Sequence, residues 1–554
     1  MSLITTTVTA TGITPLGTPT GAGITTGNVP TGSGVTEAGT PTARLDPTDY
    51  NVVIILIDDA GPDQFEWYGR GADYAYTPTL SGMVDTGVTF TRAYANPICG
   101  PTRLGVQTGY YAKTNGLAAN LVDPDDNNFR ANDDLTYLPE MFDDGRPTSR
   151  YATGAFGKWH MSGPAQQSHP FTNGWNRYFG HTPNAAWTGY SLGHFRWKKV
   201  TATTGYTAVP ATWTPTDVYS YPDGLVYDST CYDACVNARD ALQWMNSRTK
   251  PFVCYLAMNP PHSPYERPPN TMPDDIGVGA TMGTIQLVPT SRQTELDGLG
   301  VTGVGQKGIS TAQARSVFRA ATECVDTLIG WVRSRMDPEV LAKTVFIIWS
   351  DNGTVANIID SPYEGGHAKR TLYEQGIWAA AVVHGPPTIV AQPGREITAL
   401  THVVDITRTV CDICNVDLSL SPGAAGDSIS FLPLLKDPDA TPPRDYIYSE
   451  LFTPLGGPPR KSTWSRALTR DYDGVPYKLI RDQNGTEQMF RVDDAAGWNT
   501  GSTCWLEKES GGTGNIGDNY IPVITTTAPD AVKAIYADLS ARLTGLENTV
   551  TWTP

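Results

Sequence analysis

The chain has 554 residues, more than one ordinary core requires, so a large domain with a smaller partner is the first expectation. Its composition is globular, with 40% hydrophobic and 17% charged residues, and its longest apolar run covers only residues 52–57, far short of a bilayer span. A formal net charge of −16 disfavours nucleic acid and anionic membranes as partners.

Met1-Ser2-Leu3, followed by threonines and glycines, has neither a basic n-region nor an apolar h-region. That pattern predicts a cytoplasmic protein, or a periplasmic or secreted one if a native leader has been removed. Residues 1–47 are rich in Thr, Gly, Pro and Val and almost uncharged. They read as a low-complexity arm, free to drape over the body or to reach a neighbouring subunit.

The texture changes after Asp49. The unbroken aliphatic run 52–57 reads as a strand buried on both faces, and similar runs recur at 252–258 and 345–349, with a weaker one at 151–156. Residues 312–336 place Val317, Ala321, Cys324, Val325, Leu328 and Val332 at helical spacing. Strands alternating with helices predict an open α/β sheet for a domain spanning 48–454. Beyond it, 466–469, 477–480 and 488–492 are short strand candidates separated by Gly, Asp and Asn turns, and 528–543 reads as a final helix. Residues 455–554 are therefore expected to form a small antiparallel sheet carrying one helix.

Eight thinly spread cysteines do not suggest a disulfide framework. Cys231 with Cys235, or Cys411 with Cys414, has the spacing of half a zinc site. Both pairs fall in helix-like stretches, 232–245 and 406–416, where such spacings share a face, so buried thiols are expected.

The chemistry-bearing residues gather where strands end. Asp58 and Asp59 follow the first run, Lys158 and His160 follow the weaker strand, His262 follows the run ending at 258, and Asp351-Asn352-Gly353 follow the run ending at 349. Singly, each has a plain structural reading as a helix cap, an exposed turn or a satisfied loop histidine. Jointly they mark the crevice beyond the carboxyl ends of an open sheet, where such folds bind ligands. Adjacent carboxylates at a buried strand end repel one another unless a cation joins them. With Asp351 and Asn352 they supply hard oxygen donors suited to Ca²⁺ or Mg²⁺ rather than zinc.

A set of motifs narrows this further. Cys99-Gly100-Pro101-Thr102-Arg103, continuing to Thr108-Gly109, is similar to the signature C-x-P-S/T-R, and Asp58-Asp59-Ala60-Gly61 to the metal motif D-D-x-G. Residues 151–160 end in the pattern G-K-x-H, Pro261-His262-Ser263-Pro264 matches P-H-x-P, and Asp351-Asn352-Gly353 matches D-N-G. Lys369-Arg370-Thr371-Leu372-Tyr373-Glu374-Gln375-Gly376 matches K-G-T-x-Y-E-G-G. From about Asn51 to the C-terminal sheet the chain thus resembles a type I sulfatase of the alkaline-phosphatase-like superfamily. It departs from the pattern at Gly100, Gln107, Tyr110, Gln375 and Trp378.

The resemblance implies a large mixed, mainly parallel sheet flanked by helices, with a smaller C-terminal antiparallel sheet. It implies that Cys99 is oxidised by a formylglycine-generating enzyme and that the hydrated aldehyde attacks a small-molecule sulfate ester (aryl, alkyl or sugar). By the same resemblance Asp58, Asp59, Asp351, Asn352 and residue 99 hold Ca²⁺, with Mg²⁺ the second choice, and Arg103 stabilises the ionised nucleophile. Lys158 and Lys369 bind sulfate oxygens, His262 and Lys369 serve as proton donors to the departing alcohol, and His160 takes a proton from the second diol hydroxyl. These cations offset the −16 global field. His367 is expected to be an exposed loop histidine, while 187–197 and the insert 267–306 either line the pocket or pack. The competing readings are a phosphonate monoester or phosphodiester hydrolase of the same superfamily, and an unmodified sulfatase-like binding protein.

Overall fold

The computed structural model describes residues 49–118, 130–144, 151–163, 165–182, 194, 200–202, 206–207, 219–220, 226–227, 232–359, 365–453, 463–492, 519–521 and 530–549. All belong to the unit Ala43–Pro554. The arm, the stretch 187–197 apart from His194, and Cys231 lie outside the described residues.

A ten-stranded sheet organises the chain. Its strands are β1 (Asn51–Ile57), β2 (Val88–Phe90), β3 (Ala152–Lys158), β4 (Arg177–His181), β5 (Val200–Ala202), β6 (Tyr206–Thr207), β7 (Phe252–Met258), β8 (Thr344–Ser350), β9 (Ala381–His384) and β10 (Arg395–Ile397). Their spatial order is β10-β2-β9-β8-β1-β7-β3-β4-β5-β6. The five central strands, β8 to β4, run parallel, and antiparallel partners flank them on both sides. The large mixed, mainly parallel sheet is thus present.

The aliphatic runs are continuous because the central strands are buried on both faces. In β1, Val53, Ile55 and Ile57 join one core layer, and Val52, Ile54 and Leu56 join the other. Each such side chain contributes about 1.5–3 kcal/mol by leaving water. The first layer is covered by α2 (Asp233–Asn246) and α3 (Thr311–Arg335), the second by α1 (Cys99–Thr108) and α4 (Asp405–Ile413). Helix α3 starts at a capping box in which Ser310 and Gln313 satisfy each other's backbone N–H groups.

A five-stranded antiparallel sheet follows: β11 (Tyr446–Thr453), β12 (Thr463–Tyr472), β13 (Val475–Asp482), β14 (Glu487–Arg491) and β15 (Asn519–Ile521). Helix α5 (Asp530–Glu547) packs on it through Leu539 and Leu543. Strand β11 lies before residue 455 and pairs with β12 along its length. Among the described residues no helix is long and apolar enough to cross a membrane.

Candidate active site

The register of the parallel strands brings four chain ends level. Ile57 stands opposite Ser350 on one side and Met258 on the other, and Gly157 stands opposite Ala257. Asp58, Asp351, Asn259 and Lys158 therefore emerge in one row. The Asp351 N–H still donates to the Ile57 carbonyl at 3.0 Å, so the ladder extends into the site.

Cys99 opens helix α1 over this row. Ile98 before it is extended (φ −149°) and its apolar side chain makes no capping hydrogen bond, and Pro101 sits in the first turn, where its missing N–H leaves no gap. A helix start favours an anion at that point. Cys99 Sγ lies 3.3 Å from Asp58 Oδ1 and 3.2 Å from Lys369 Nζ. Burial pushes its thiol pKa up, Asp351 and Asp58 push the same way, and Lys158 and Lys369 pull back.

Fully buried Arg103 ties the row together. It donates to Asp58 Oδ2 at 3.2 Å, to Asp351 Oδ2 at 2.9 Å and to the Lys158 carbonyl at 2.9 Å. Burial alone would lower its pKa, but Tyr255, Asp351 and Asp58 hold it raised. Lys158 Nζ is paired with Asp58, and Lys369 Nζ with Asp59. Burial opposes the charge on Asp58, but Lys158, His262, Arg103 and Lys369 keep its pKa well below the usual carboxylate range. Asp351, by contrast, is pushed up to about 7 by burial and by Asp58. Two carboxylates this close cannot both keep their charge cheaply without more positive charge.

The histidines are kept neutral. Burial, then Lys158 and Arg103, hold the His160 pKa well below the usual imidazole value, and its Nδ1 has no hydrogen-bond partner among the described residues. Burial and Lys158 pull His262 down to about 4, against Asp59 and Asp58. Its Nε2 stands 3.7 Å from Asp59 Oδ2, and its Nδ1 lies 2.5 Å from the Ser263 carbonyl. Asp59 and His160 both hold left-handed backbone, φ 70° and 58°, a strain that persists only where the surroundings impose it.

Several donor atoms converge here as a cation site requires. Asp58, Asp59, Cys99 and His262 bring ligand atoms within 4.8 Å of one another, all buried. Asn352 Nδ2 donates to Asp59 Oδ1 and to the Gly353 carbonyl, both at 2.9 Å, while its Oδ1 is buried without a partner among the described residues. A buried amide oxygen left without a donor is an acceptor suited to an oxygen-seeking ion. Asp351, expected in the same ligand set, gives Oδ2 to Arg103 and accepts the Asp59 N–H on Oδ1 at 3.2 Å. Gly353 is required here, because a Cβ would meet the Gln375 carbonyl oxygen at 1.7 Å.

A buried polar cluster without any motif supports the His262 loop. His194 Nε2 donates to the His262 carbonyl at 2.7 Å, and its Nδ1 faces Asp233 at 3.3 Å and Asn259 Nδ2 at 3.2 Å. Its backbone N–H donates to Glu266 at 2.9 Å. Burial opposes a charge on His194, but Asp233 holds its pKa raised. His194, Asp233 and Asn259 were not among the residues expected from sequence. They lie 68, 29 and 3 positions from His262, too scattered for spacing to signal them.

Other candidates make contacts of their own. Trp378 is buried, donates from Nε1 to the Thr91 carbonyl at 3.1 Å and packs edge-on to Tyr68. The insert forms a hairpin (Thr271–Asp274 with Gly283–Gln286) and a helix (Thr290–Gly298). It is fastened to α3 by Asp274 with Arg335 and Trp331, and by Arg292 with Glu323. His367 stacks on Tyr373 at 3.5 Å between ring centroids. Cys235, Cys411 and Cys414 are buried, as expected.

Comparison with known proteins gives this arrangement a family. Residues 50–416 match the family profile described as Sulfatase. The chain is 22% identical over 455 residues to the ulvan-active sulfatase of Formosa agariphila, covering 80% of this chain and 73% of that protein. It is 25% identical over 389 residues to the N-acetylgalactosamine-6-sulfatase of Sus scrofa, covering 67% of this chain. The match spans 63% of that relative, less than two thirds of its length. The solved structure of Ps i-CgsB with k-i-k-neocarrahexaose superposes with a TM-score of 0.61 at 18% identity, over 91% of this chain and 94% of the other, a likeness of fold. The strand-end row, the Cys99 helix and the matched profile together place this chain in the sulfatase family, whose named relatives are sulfuric ester hydrolases.

Proposed function

We propose that this protein hydrolyses a sulfate monoester, using a formylglycine made from Cys99 and a calcium ion held by Asp58, Asp59, Asp351, Asn352 and residue 99, with magnesium as substitute. The observation that carries this reading is the meeting of Cys99 Sγ with Asp58 at 3.3 Å and Lys369 at 3.2 Å, at the start of a helix. When present, the hydrated aldehyde and the cation supply an acidified nucleophilic hydroxyl with a second hydroxyl on the same carbon.

The chain's own residues account for the rest. Lys158 and Lys369 are fixed ammonium groups for sulfate oxygens, and the start of α1 adds its dipole on the same side. Arg103 holds Asp58 and Asp351 in place and supplies positive charge at residue 99. A bound sulfate puts negative charge beside His262 and offsets the Lys158 field that lowers its pKa. His262 Nε2 and Lys369 Nζ can then give a proton to the departing alcohol. His160, kept neutral with an unengaged Nδ1, is suited to accept a proton. Asn352, an amide where phosphonate hydrolases of this superfamily carry histidine, favours sulfate over phosphonate esters.

The test is mass spectrometry of the Cys99 peptide combined with turnover of an aryl sulfate and a phenyl phosphonate ester. Formylglycine at position 99, preference for the sulfate, and loss of at least about 10³-fold in Cys99→Ala are expected. Chelation should lower turnover and added Ca²⁺ restore it. Full activity in a preparation holding only thiol at residue 99 overturns the formylglycine route, and faster phosphonate turnover overturns the substrate class. No turnover of any ester by formylglycine-bearing protein with Ca²⁺ would leave the binding-protein reading.

A further inference from the structure

Arg370 stands out among the described cations. Its backbone is left-handed, φ 77°, a conformation that strains any residue with a Cβ. Two hydrogen bonds impose it: the Lys369 N–H donates to the Thr354 carbonyl and the Arg370 N–H to the Pro97 carbonyl, both at 2.9 Å. The same pinning buries one side chain and leaves the next exposed. Lys369 goes into the buried site, with Nζ 3.2 Å from Cys99 Sγ, while Arg370 is exposed. Among the described residues its guanidinium makes no hydrogen bond, ion pair or ring contact. Other arginines at this end of the sheet are committed, Arg103 to Asp58 and Asp351, and Arg267 to Asp297.

Tyr265, three residues beyond His262, is half-buried, with its ring edge-on to Phe318. Its hydroxyl donates to Asn357 Oδ1 at 3.2 Å. Burial and Asp59 raise its pKa to about 12, against the opposing fields of Lys369 and Arg370. Arg370 thus sets an exposed cation one residue from buried Lys369, with its backbone tied to Pro97, two residues before Cys99. In a chain of net charge −16, an uncommitted guanidinium beside an anion site is a strong local attractor for a second anion.

We infer that Arg370 is a specificity residue that binds a second anionic group, sulfate or carboxylate, carried by the same substrate molecule as the scissile sulfate. This rests on the sulfate-ester reading of the site and narrows its substrate to polyanionic esters. Two N–H donors in one plane match either oxyanion, and an exposed charge-assisted pair of this kind corresponds to roughly a tenfold gain in affinity.

The test uses the full chain in calcium buffer, with Cys99→Ala as parent so that ligands are not consumed. Calorimetry compares galactose 6-sulfate with galactose 4,6-disulfate, and a galacturonic acid sulfate separates carboxylate from sulfate as the second group. The parent should bind at least one doubly anionic sugar about tenfold more tightly than the monosulfate, and Arg370→Gln should reduce that ratio to roughly one to two. Arg370→Gly removes the backbone strain as well, so it should lose the same preference with a Tm no lower than the parent's, which excludes misfolding as the cause. A parent without the preference, a preference retained in Arg370→Gln, or no measurable binding of any sugar overturns the inference. Aryl sulfate turnover by protein with native residue 99 is measured separately. Its failure removes the sulfatase reading while the affinity ratio remains readable.

Discussion

At the amino end of β1, the Asn51 side chain reaches three partners: it donates to the Val340 carbonyl and to Thr344 Oγ1, and accepts from the Phe252 N–H at 3.1 Å. At the carboxyl end of the same strand, Asp58 and Asp59 are pressed against two lysines, an arginine and a third carboxylate. There the backbone turns left-handed at Asp59, and the Asn352 carbonyl oxygen has no donor among the described residues. Both ends are buried, so exposure does not separate them. What separates them is satisfaction: one end has settled its polar groups within the protein, while the other retains charge, strain and an open acceptor. A region built for stability and a region built for chemistry thus share one strand.

The sharpest way to break this contrast is to remove charge from the carboxyl end. Lys369→Met deletes the ammonium beside Asp59 and residue 99, and kcat for an aryl sulfate is expected to fall about 10²–10³-fold while circular dichroism shows the fold retained. A loss under about tenfold would mean that the crowded charge is structural.

At the amino end the expected pattern reverses. Asn51→Ala leaves the Phe252 N–H without its acceptor and should cost about 1–3 kcal/mol, read as a Tm lower by several degrees, with kcat within roughly twofold of wild type. An unchanged Tm with reduced kcat would erase the distinction between the two ends.

The smallest effect concerns acid. His384, at the amino end of the sheet opposite Phe346, is pulled down to about 4 by burial and by Arg333. Its folded pKa lies below the ordinary 6.5, so the unfolded chain binds the extra proton first. Its contribution is fully present above pH 6.5 and is lost as pH falls toward 4. Partial exposure limits it to on the order of 1 kcal/mol. His384→Gln should flatten the stability profile over that window by this amount, with no change in the profile above it. An unaltered acid slope in denaturant titrations would show that the imidazole is not linked to folding.

Much of this was legible in sequence, for a physical reason. Central parallel strands buried on both faces must be continuous aliphatic runs, so β1, β7 and β8 announce themselves, and the polar residues just beyond them fall at the ligand end. Helix α3 carries its 3.6-residue period because one face packs on the sheet. Strands β2 and β10 are three residues long and carry too little pattern to be read. Strand β11 is buried from Ile447 to Phe452, but Ser449 and Glu450 interrupt its apolar run and it sits ahead of the turn-rich texture that marks the following sheet. The pairing of Lys158 and Lys369 with different aspartates, the outward-facing Arg370 and the His194 support all depend on which chain segments fold back on one another. Residue spacing holds no record of that.

The two ends of β1 also act as a ruler. Between Asn51 and Asp58 lie six aliphatic residues with no polar mark among them, and either core face would accept any of them. Nothing in the middle of the strand defends its register, so the bookends must. Adding or removing one residue within 52–57 would force a choice between the Asn51 clasp and the placement of Asp58 under residue 99. Stability and chemistry, separable by point substitution at either end, would then be lost together.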